Sequence, residues 1–121
     1  MRITYNKLVR DKMIDIYKHD VKNKISASGY DVDYLTPQAT LEKLKDKLLE
    51  ESQEVFDSYN LKDKTQLKEE LADVIEVIDA ILHHNNLSLE EVLAIRDKKK
   101  EMKGGFETGL YLKSIDYFDK E

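Results

Sequence analysis

Two short acidic motifs have the residue types and the spacing to bind a metal ion. Residues 50–54 read Glu-Glu-Ser-Gln-Glu, and residues 69–73 read Glu-Glu-Leu-Ala-Asp. Each motif places two carboxylates three residues apart, a spacing that puts both on one face of a helix. If the two helices pack antiparallel, four carboxylates converge, and hard cations such as Mg²⁺ or Mn²⁺ favour such oxygen ligands. A site of that kind acts on phosphates.

Helix-capping residues predict where the elements that carry these motifs begin. Thr36 before Pro37 predicts the start of a long second helix that reaches about residue 59, with Asn60 as its stop. Asp63, followed three residues later by Gln66, is typical of the start of a third helix, which reaches about residue 84. The other predicted elements are a first helix from about 9 to 18 or slightly beyond, a loop over 23–35, and a fourth helix from a Ser88 cap to Gly104-Gly105.

These elements predict an all-α fold, a four-helix bundle-like single domain of residues 1–121. The second and third helices are expected to form an antiparallel pair, because only residues 60–62 join them. The termini are predicted to be short and extended. Residues 110–113 alternate in polarity as a short strand or an extended arm would, and their natural partner is residues 3–5.

The composition excludes several classes of protein. With 37% charged residues, one proline and four glycines, the chain favours helices. It has no cysteine, so disulfides and thiolate metal sites are excluded. No apolar run approaches the ~20 residues of a membrane span, and the N-terminus has no signal-peptide pattern, so we expect a cytoplasmic protein. A formal charge of −5 argues against nucleic acid as a partner.

A helical wheel separates four acids from the others in the two motifs. On the third helix, Glu70 falls inside an apolar arc and Asp73 lies just beyond it. On the second helix, Glu51 borders the apolar stripe and Glu54 lies one step further round. The arc on the third helix comprises Leu67, Leu71, Val74, Ile75, Val77, Ile78, Ile81 and Leu82. A charged glutamate among apolar residues is costly unless it is paired or bound to metal.

Acids at this spacing usually decorate a solvated helix face, and that interpretation is the default for a single motif. Here the motif recurs on adjacent helices, and one of its acids interrupts an apolar arc. We therefore predict a metal site formed by Glu51, Glu54, Glu70 and Asp73.

The pattern resembles the all-α nucleotide pyrophosphohydrolases of the MazG type, especially a subgroup similar to phosphoribosyl-ATP pyrophosphohydrolase. The family pattern is Glu-x-x-Glu, a gap, and Glu-x-x-Asp, and this chain has it with a gap of fifteen residues. Residues 5–12 resemble the N-terminal signature of the subgroup, and residues 99–106 resemble its closing element. Two positions depart from it. Lys103 replaces an arginine, which removes bidentate phosphate contact, and residues 13–15 read Met-Ile-Asp instead of Ile-Pro-Glu.

The resemblance implies hydrolysis of a nucleoside triphosphate, standard or non-standard, to the monophosphate and pyrophosphate. It implies Mg²⁺, with Mn²⁺ as a substitute, held by the four carboxylates, and Glu51 or Glu54 as the general base for the attacking water. It also implies a homodimer or homotetramer. Many members of the family are thought to clear damaged nucleotides from the cell.

Two basic clusters are candidate phosphate-binding groups. Lys99 and Lys103 lie four residues apart at the end of the fourth helix, where they could bind phosphate oxygens or the leaving pyrophosphate. The alternative is that they only complement the helix dipole or remain solvated. Lys7, Arg10 and Lys12 form the second cluster, for which a surface role is the default and phosphate contact is the weaker expectation.

Two other functions compete with this prediction. One is hydrolysis of phosphoribosyl-ATP in histidine biosynthesis, which the N-terminal signature and the Gly-Gly-Phe ending mildly disfavour. The other is a non-catalytic helical oligomer that serves as a binding module. Leu49 and Phe56 lie beside the main apolar stripe of the second helix, and this extra apolar surface predicts oligomerisation.

Overall fold

A computed structural model of the chain describes residues 1–60 and 62–119, without the side chain of Asn60. Within these ranges there are four α-helices and no strand: α1 (Met13–Lys22), α2 (Pro37–Asn60), α3 (Lys64–His84) and α4 (Leu89–Lys103). The prediction of an all-α fold is therefore confirmed. Helices α1 to α3 lie in a compact unit of residues 1–87, and α4 lies in a second unit that begins at residue 88.

The predicted capping residues form the caps of α2, α3 and α4. The amide of Ala39 donates to Thr36 Oγ1 at 3.2 Å, and the Asp63 side chain accepts the amides of residues 65 and 66 at 3.1 Å each. Ser88 Oγ accepts the amide of residue 91 at 3.4 Å. Gly104 ends α4 with a φ of +82°, a conformation that favours glycine. Helix α2 includes Asn60, its predicted stop, and the residue after it lies outside the described ranges.

The predicted start of α1 is wrong. The helix begins at Met13 and not near Val9, and the amide of Met13 donates to the carbonyl of Arg10 in a turn at 3.0 Å. The Arg10 side chain bonds to Asp73 on α3, so a tertiary contact holds the residues before the turn. The predicted loop over 23–35 is confirmed, and residues 110–113 form no strand but an irregular arm.

Helices α2 and α3 pack against each other as an antiparallel pair, as predicted. The start of α2 lies beside the end of α3, where Leu41 and Ile81 line one cavity. The buried residues of α2 recur every seven positions, at Leu44, Glu51 and Ser58. Those of α3 are Glu70, Val77 and Leu82. Two glutamates therefore occupy positions that apolar residues usually take in a helix–helix seam.

Apart from Leu82 near the C-terminal end of the helix, only one edge of the apolar arc on α3 is buried in the single chain. That edge contains Glu70 and Val77, whereas Leu71, Ile75 and Ile78 are exposed, with 60% of Ile75 accessible. The wheel correctly placed Glu70 among apolar residues, but it could not tell which edge of the arc meets α2.

No helix within the described ranges has the length and apolar character to span a membrane.

Candidate metal centre

Three of the four predicted carboxylates form a compact cluster between α2 and α3. Glu51, Glu70 and Asp73 each offer a carboxylate oxygen, and these atoms all lie within 4.8 Å of one another. Glu51 and Glu70 are buried, with 6% of each residue accessible, and Asp73 is half-buried. The fourth acid, Glu54, lies outside this group of three but hydrogen-bonds to Glu70.

Each buried glutamate receives one donor from the preceding turn of its own helix. Lys47 Nζ lies 3.2 Å from Glu51 Oε1, and Gln66 Nε2 donates to Glu70 Oε1. Neither Lys47 nor Gln66 was predicted from the sequence to be a member of the site. Their spacing was available as a signal, because each stands four residues before its glutamate and side chains at that spacing meet on a helix.

The second oxygen of each buried glutamate lacks a protein partner. Within the described part of the chain, Glu51 Oε2 and Glu70 Oε2 are buried and accept no hydrogen bond. A buried carboxylate oxygen without a partner costs free energy of about 1–3 kcal/mol or more. A divalent cation in the cluster would remove that cost, and carboxylate oxygens are the ligands that Mg²⁺ and Mn²⁺ prefer. The residues present therefore fit such an ion.

The acidic surroundings make Glu54 retain a proton. Glu54 is exposed, but a hydrogen bond with Glu70, a small loss of hydration, and the charges of Glu51, Glu70 and Glu50 raise its pKa to about 7. In the metal-free protein at lower pH, a protonated Glu54 donates this hydrogen bond to Glu70. A cation that binds Glu70 competes with that proton.

Lys47 compensates part of the negative charge. Its ammonium lies between Glu51 and Glu50, which it contacts at 3.2 Å and 3.4 Å, and 19% of its side chain is accessible. Burial disfavours the charged form, but the hydrogen bonds and charges of the two glutamates outweigh it and raise the pKa of Lys47. Lys47 therefore remains a cation beside the cluster.

The basic residues predicted to bind phosphate fall into two groups. Arg10 Nη2 donates to Asp73 Oδ1 at 2.6 Å, and Lys7 Nζ lies 3.7 Å from Glu50 Oε1, so both contact acids at or beside the cluster. Lys99 and Lys103 are exposed on α4 in the second unit, and their role in binding phosphate stays a prediction.

Residues 18–100, about two thirds of the chain, match the family described as phosphoribosyl-ATP pyrophosphohydrolase. The chain belongs to the phosphoribosyl-ATP pyrophosphohydrolase family. That family lies within the MazG-like nucleotide pyrophosphohydrolases, so both the resemblance and the enzyme class that it implied are confirmed. No curated protein and no solved structure matches the chain.

The match to the phosphoribosyl-ATP pyrophosphohydrolase family contains all four predicted acids and the two donors, Lys47 and Gln66. It excludes Lys7 and Arg10, whose contacts to the acids come from the segment that resembles the N-terminal signature of the subgroup. It also excludes most of the closing element, residues 101–106. The segments that disfavoured phosphoribosyl-ATP as the substrate are residues 5–12 and residues 99–106. The first lies wholly outside the match, and the second lies mostly outside it.

The contact between Arg10 and Asp73 leads to a prediction about metal affinity. The guanidinium offsets the charge of Asp73 and competes with a cation for its carboxylate, so Arg10→Ala should tighten Mg²⁺ binding in the absence of nucleotide. Both side chains are partly exposed, which limits the gain to about fivefold. Calorimetric titration with Mg²⁺ measures it, and Arg96→Ala is the control because Arg96 pairs with Asp97 on α4. Equal or weaker affinity in Arg10→Ala would contradict the prediction.

Proposed function

We propose that this protein hydrolyses a nucleoside triphosphate to the monophosphate and pyrophosphate, with Mg²⁺ held by Glu51, Glu70 and Asp73. The observation that carries the proposal is the pair of buried glutamate oxygens without partners in a cluster of three carboxylates. Membership of a pyrophosphohydrolase family supports the reaction class. Mn²⁺, which also takes carboxylate ligands, is expected to substitute.

Different residues of the chain have different roles in the proposed reaction. A bound Mg²⁺ would neutralise phosphate charge and lower the pKa of water. Glu51, Glu70 and Asp73 hold the ion, and the donors Lys47 and Gln66 orient the two buried glutamates. Glu54 is the better candidate for general base, because it lies outside the group of three that would hold the ion and its carboxylate is therefore free to accept a proton from water.

The substrate has two candidates of equal standing. The family match favours phosphoribosyl-ATP, and the N-terminal and closing segments favour another nucleoside triphosphate, including a non-standard one. The test is to incubate the protein and Mg²⁺ with each candidate and to measure the release of monophosphate product and pyrophosphate. Turnover of one substrate alone assigns the function, and turnover of none refutes the proposed reaction.

A non-catalytic binding module is the alternative from a different class. Calorimetry with Mg²⁺ separates it from the enzyme, because an enzyme of this kind needs the ion. A protein that neither binds Mg²⁺ nor releases pyrophosphate would be such a module.

Lys99 and Lys103 are proposed to contact phosphate in the enzyme, and their replacement by glutamine should then raise KM.

We also propose that the protein assembles as a homodimer or homotetramer through the exposed apolar faces of α2 and α3. Leu49 and Phe56 are 72% and 61% accessible, and the exposed part of the α3 arc adds Ile75. Apolar surface of this extent marks a contact site. Light scattering at micromolar concentration should give a multiple of the 14.2 kDa chain mass, and Phe56→Asp should lower that mass. A monomeric mass for the wild type would contradict the proposal.

A further inference from the structure

The N-terminal segment, residues 6–10, reaches the acidic site although it lies outside the family match. Lys7 contacts Glu50 at 3.7 Å, and Arg10 contacts Asp73 at 2.6 Å. These two ion pairs tether the segment to both helices that carry the acids. The segment therefore forms part of the surroundings of the metal centre.

A cleft of about 60 Å³ lies between this segment and α2. Its lining includes three lysines, Lys7, Lys43 and Lys47, together with the carboxylates of Asp46 and Glu50. By the volume that ordered water needs in a cavity, it has room for about four water molecules. That space is comparable to a phosphate group in size.

The cleft adjoins the proposed metal centre through Lys47. Lys47 is one of the residues that line the cleft, and its ammonium lies 3.2 Å from Glu51 Oε1. The same side chain therefore belongs to the cleft and contacts the cluster. A phosphate chain that reached from the metal centre to the cleft would pass Lys47.

The charges of the cleft favour an anion. Three lysines and two acidic residues line it, and Lys7 and Lys47 both contact Glu50, which offsets its charge. Among the residues that the structure describes, no carboxylate lies within 4.0 Å of the Lys43 ammonium, so this cation is available to a ligand. Lysine binds phosphate as a point charge with three donors.

We propose that this cleft binds the pyrophosphoryl end of the substrate and the pyrophosphate that leaves, through Lys7 and Lys43. The inference rests on the proposed function, because it assigns the phosphates that lie beyond the bond that is hydrolysed. It gives the N-terminal segment a role in holding substrate. Arg10 and Lys7 anchor the segment until the phosphate chain enters.

The test is calorimetric binding of inorganic pyrophosphate in the presence of Mg²⁺, which needs no turnover. Lys7→Gln and Lys43→Gln each remove one charged donor and should weaken pyrophosphate affinity about tenfold. Lys45→Gln is the matched control, since Lys45 is exposed on the same helix and pairs with Glu42 outside the cleft. Its affinity should stay within about twofold of the wild type, and so should the affinity of all three variants for Mg²⁺ alone.

The outcomes separate this inference from the proposed function. If the wild type hydrolyses a triphosphate but Lys7→Gln and Lys43→Gln bind pyrophosphate as Lys45→Gln does, the subsite is refuted and the reaction stands. If no triphosphate is hydrolysed but pyrophosphate binding depends on Lys7 and Lys43, the subsite stands and the reaction is refuted. A wild type that does not bind pyrophosphate also refutes the subsite. Lys43 is exposed on α2, so its variant tests the inference even if Lys7→Gln disturbs the N-terminal segment.

Discussion

Glu70→Gln should lower pyrophosphohydrolase activity by at least about a hundredfold, because it removes an anionic ligand from the metal centre. Glutamine has nearly the same volume, and its side-chain oxygen can still accept the hydrogen bond from Gln66. The fold is therefore expected to survive. The metal-free variant should be at least as thermally stable as the wild type, because an amide replaces a buried carboxylate that has an unpartnered oxygen.

The matched control for this variant is Glu69→Gln. Glu69 precedes Glu70 on α3 but is exposed, so the same chemical change occurs on the solvent side of the helix. Activity and the shift in melting temperature that Mg²⁺ causes should be unchanged in Glu69→Gln, and both should be largely lost in Glu70→Gln. A Glu70→Gln protein with full activity and a normal Mg²⁺ shift would show that the metal centre lies elsewhere.

The affinity for Mg²⁺ should fall about fiftyfold between pH 7 and pH 5, because binding must displace the proton that Glu54 shares with Glu70. With the pKa of Glu54 raised to about 7, the first pH unit below that value should cost about fivefold in affinity and the next about tenfold. Calorimetry across this range measures the slope. Glu54→Gln lacks the proton, so its profile should be much flatter, whereas an affinity that is equal at pH 5 and pH 7 in the wild type would contradict the prediction.

The same proton affects the stability of the metal-free protein in the opposite direction. The folded pKa of Glu54 lies above its ordinary value of 4.5, so folding favours the protonated form. This stabilisation is fully present below pH 4.5 and is lost as the pH rises through about 7. The melting temperature without metal should therefore fall as the pH rises toward 8, and saturating Mg²⁺ should oppose that fall. Glu54→Gln should remove this part of the pH dependence.

The sequence by itself determined the features that depend on neighbours along the chain. The caps at Thr36, Asp63 and Ser88 and the glycine end of α4 were predicted correctly, because a capping side chain bonds to amides within three residues of it. The helical wheel was also enough to select Glu70 from the other acids. The position of Glu70 on the wheel depends on helix geometry alone, and the structure confirms that this residue is buried.

Contacts between distant segments were decided only by the tertiary structure. The sequence gives no sign that Arg10 bonds to Asp73, 63 positions away, and this contact accompanies the later start of α1. Nor could the wheel tell that Ile75 faces solvent while Val77 is buried, because that depends on which edge of α3 meets α2. Whether an acid binds metal or decorates a surface is decided in the same way. The packing of α2 on α3 buries Glu51 and Glu70 and leaves each with one oxygen that no described donor reaches.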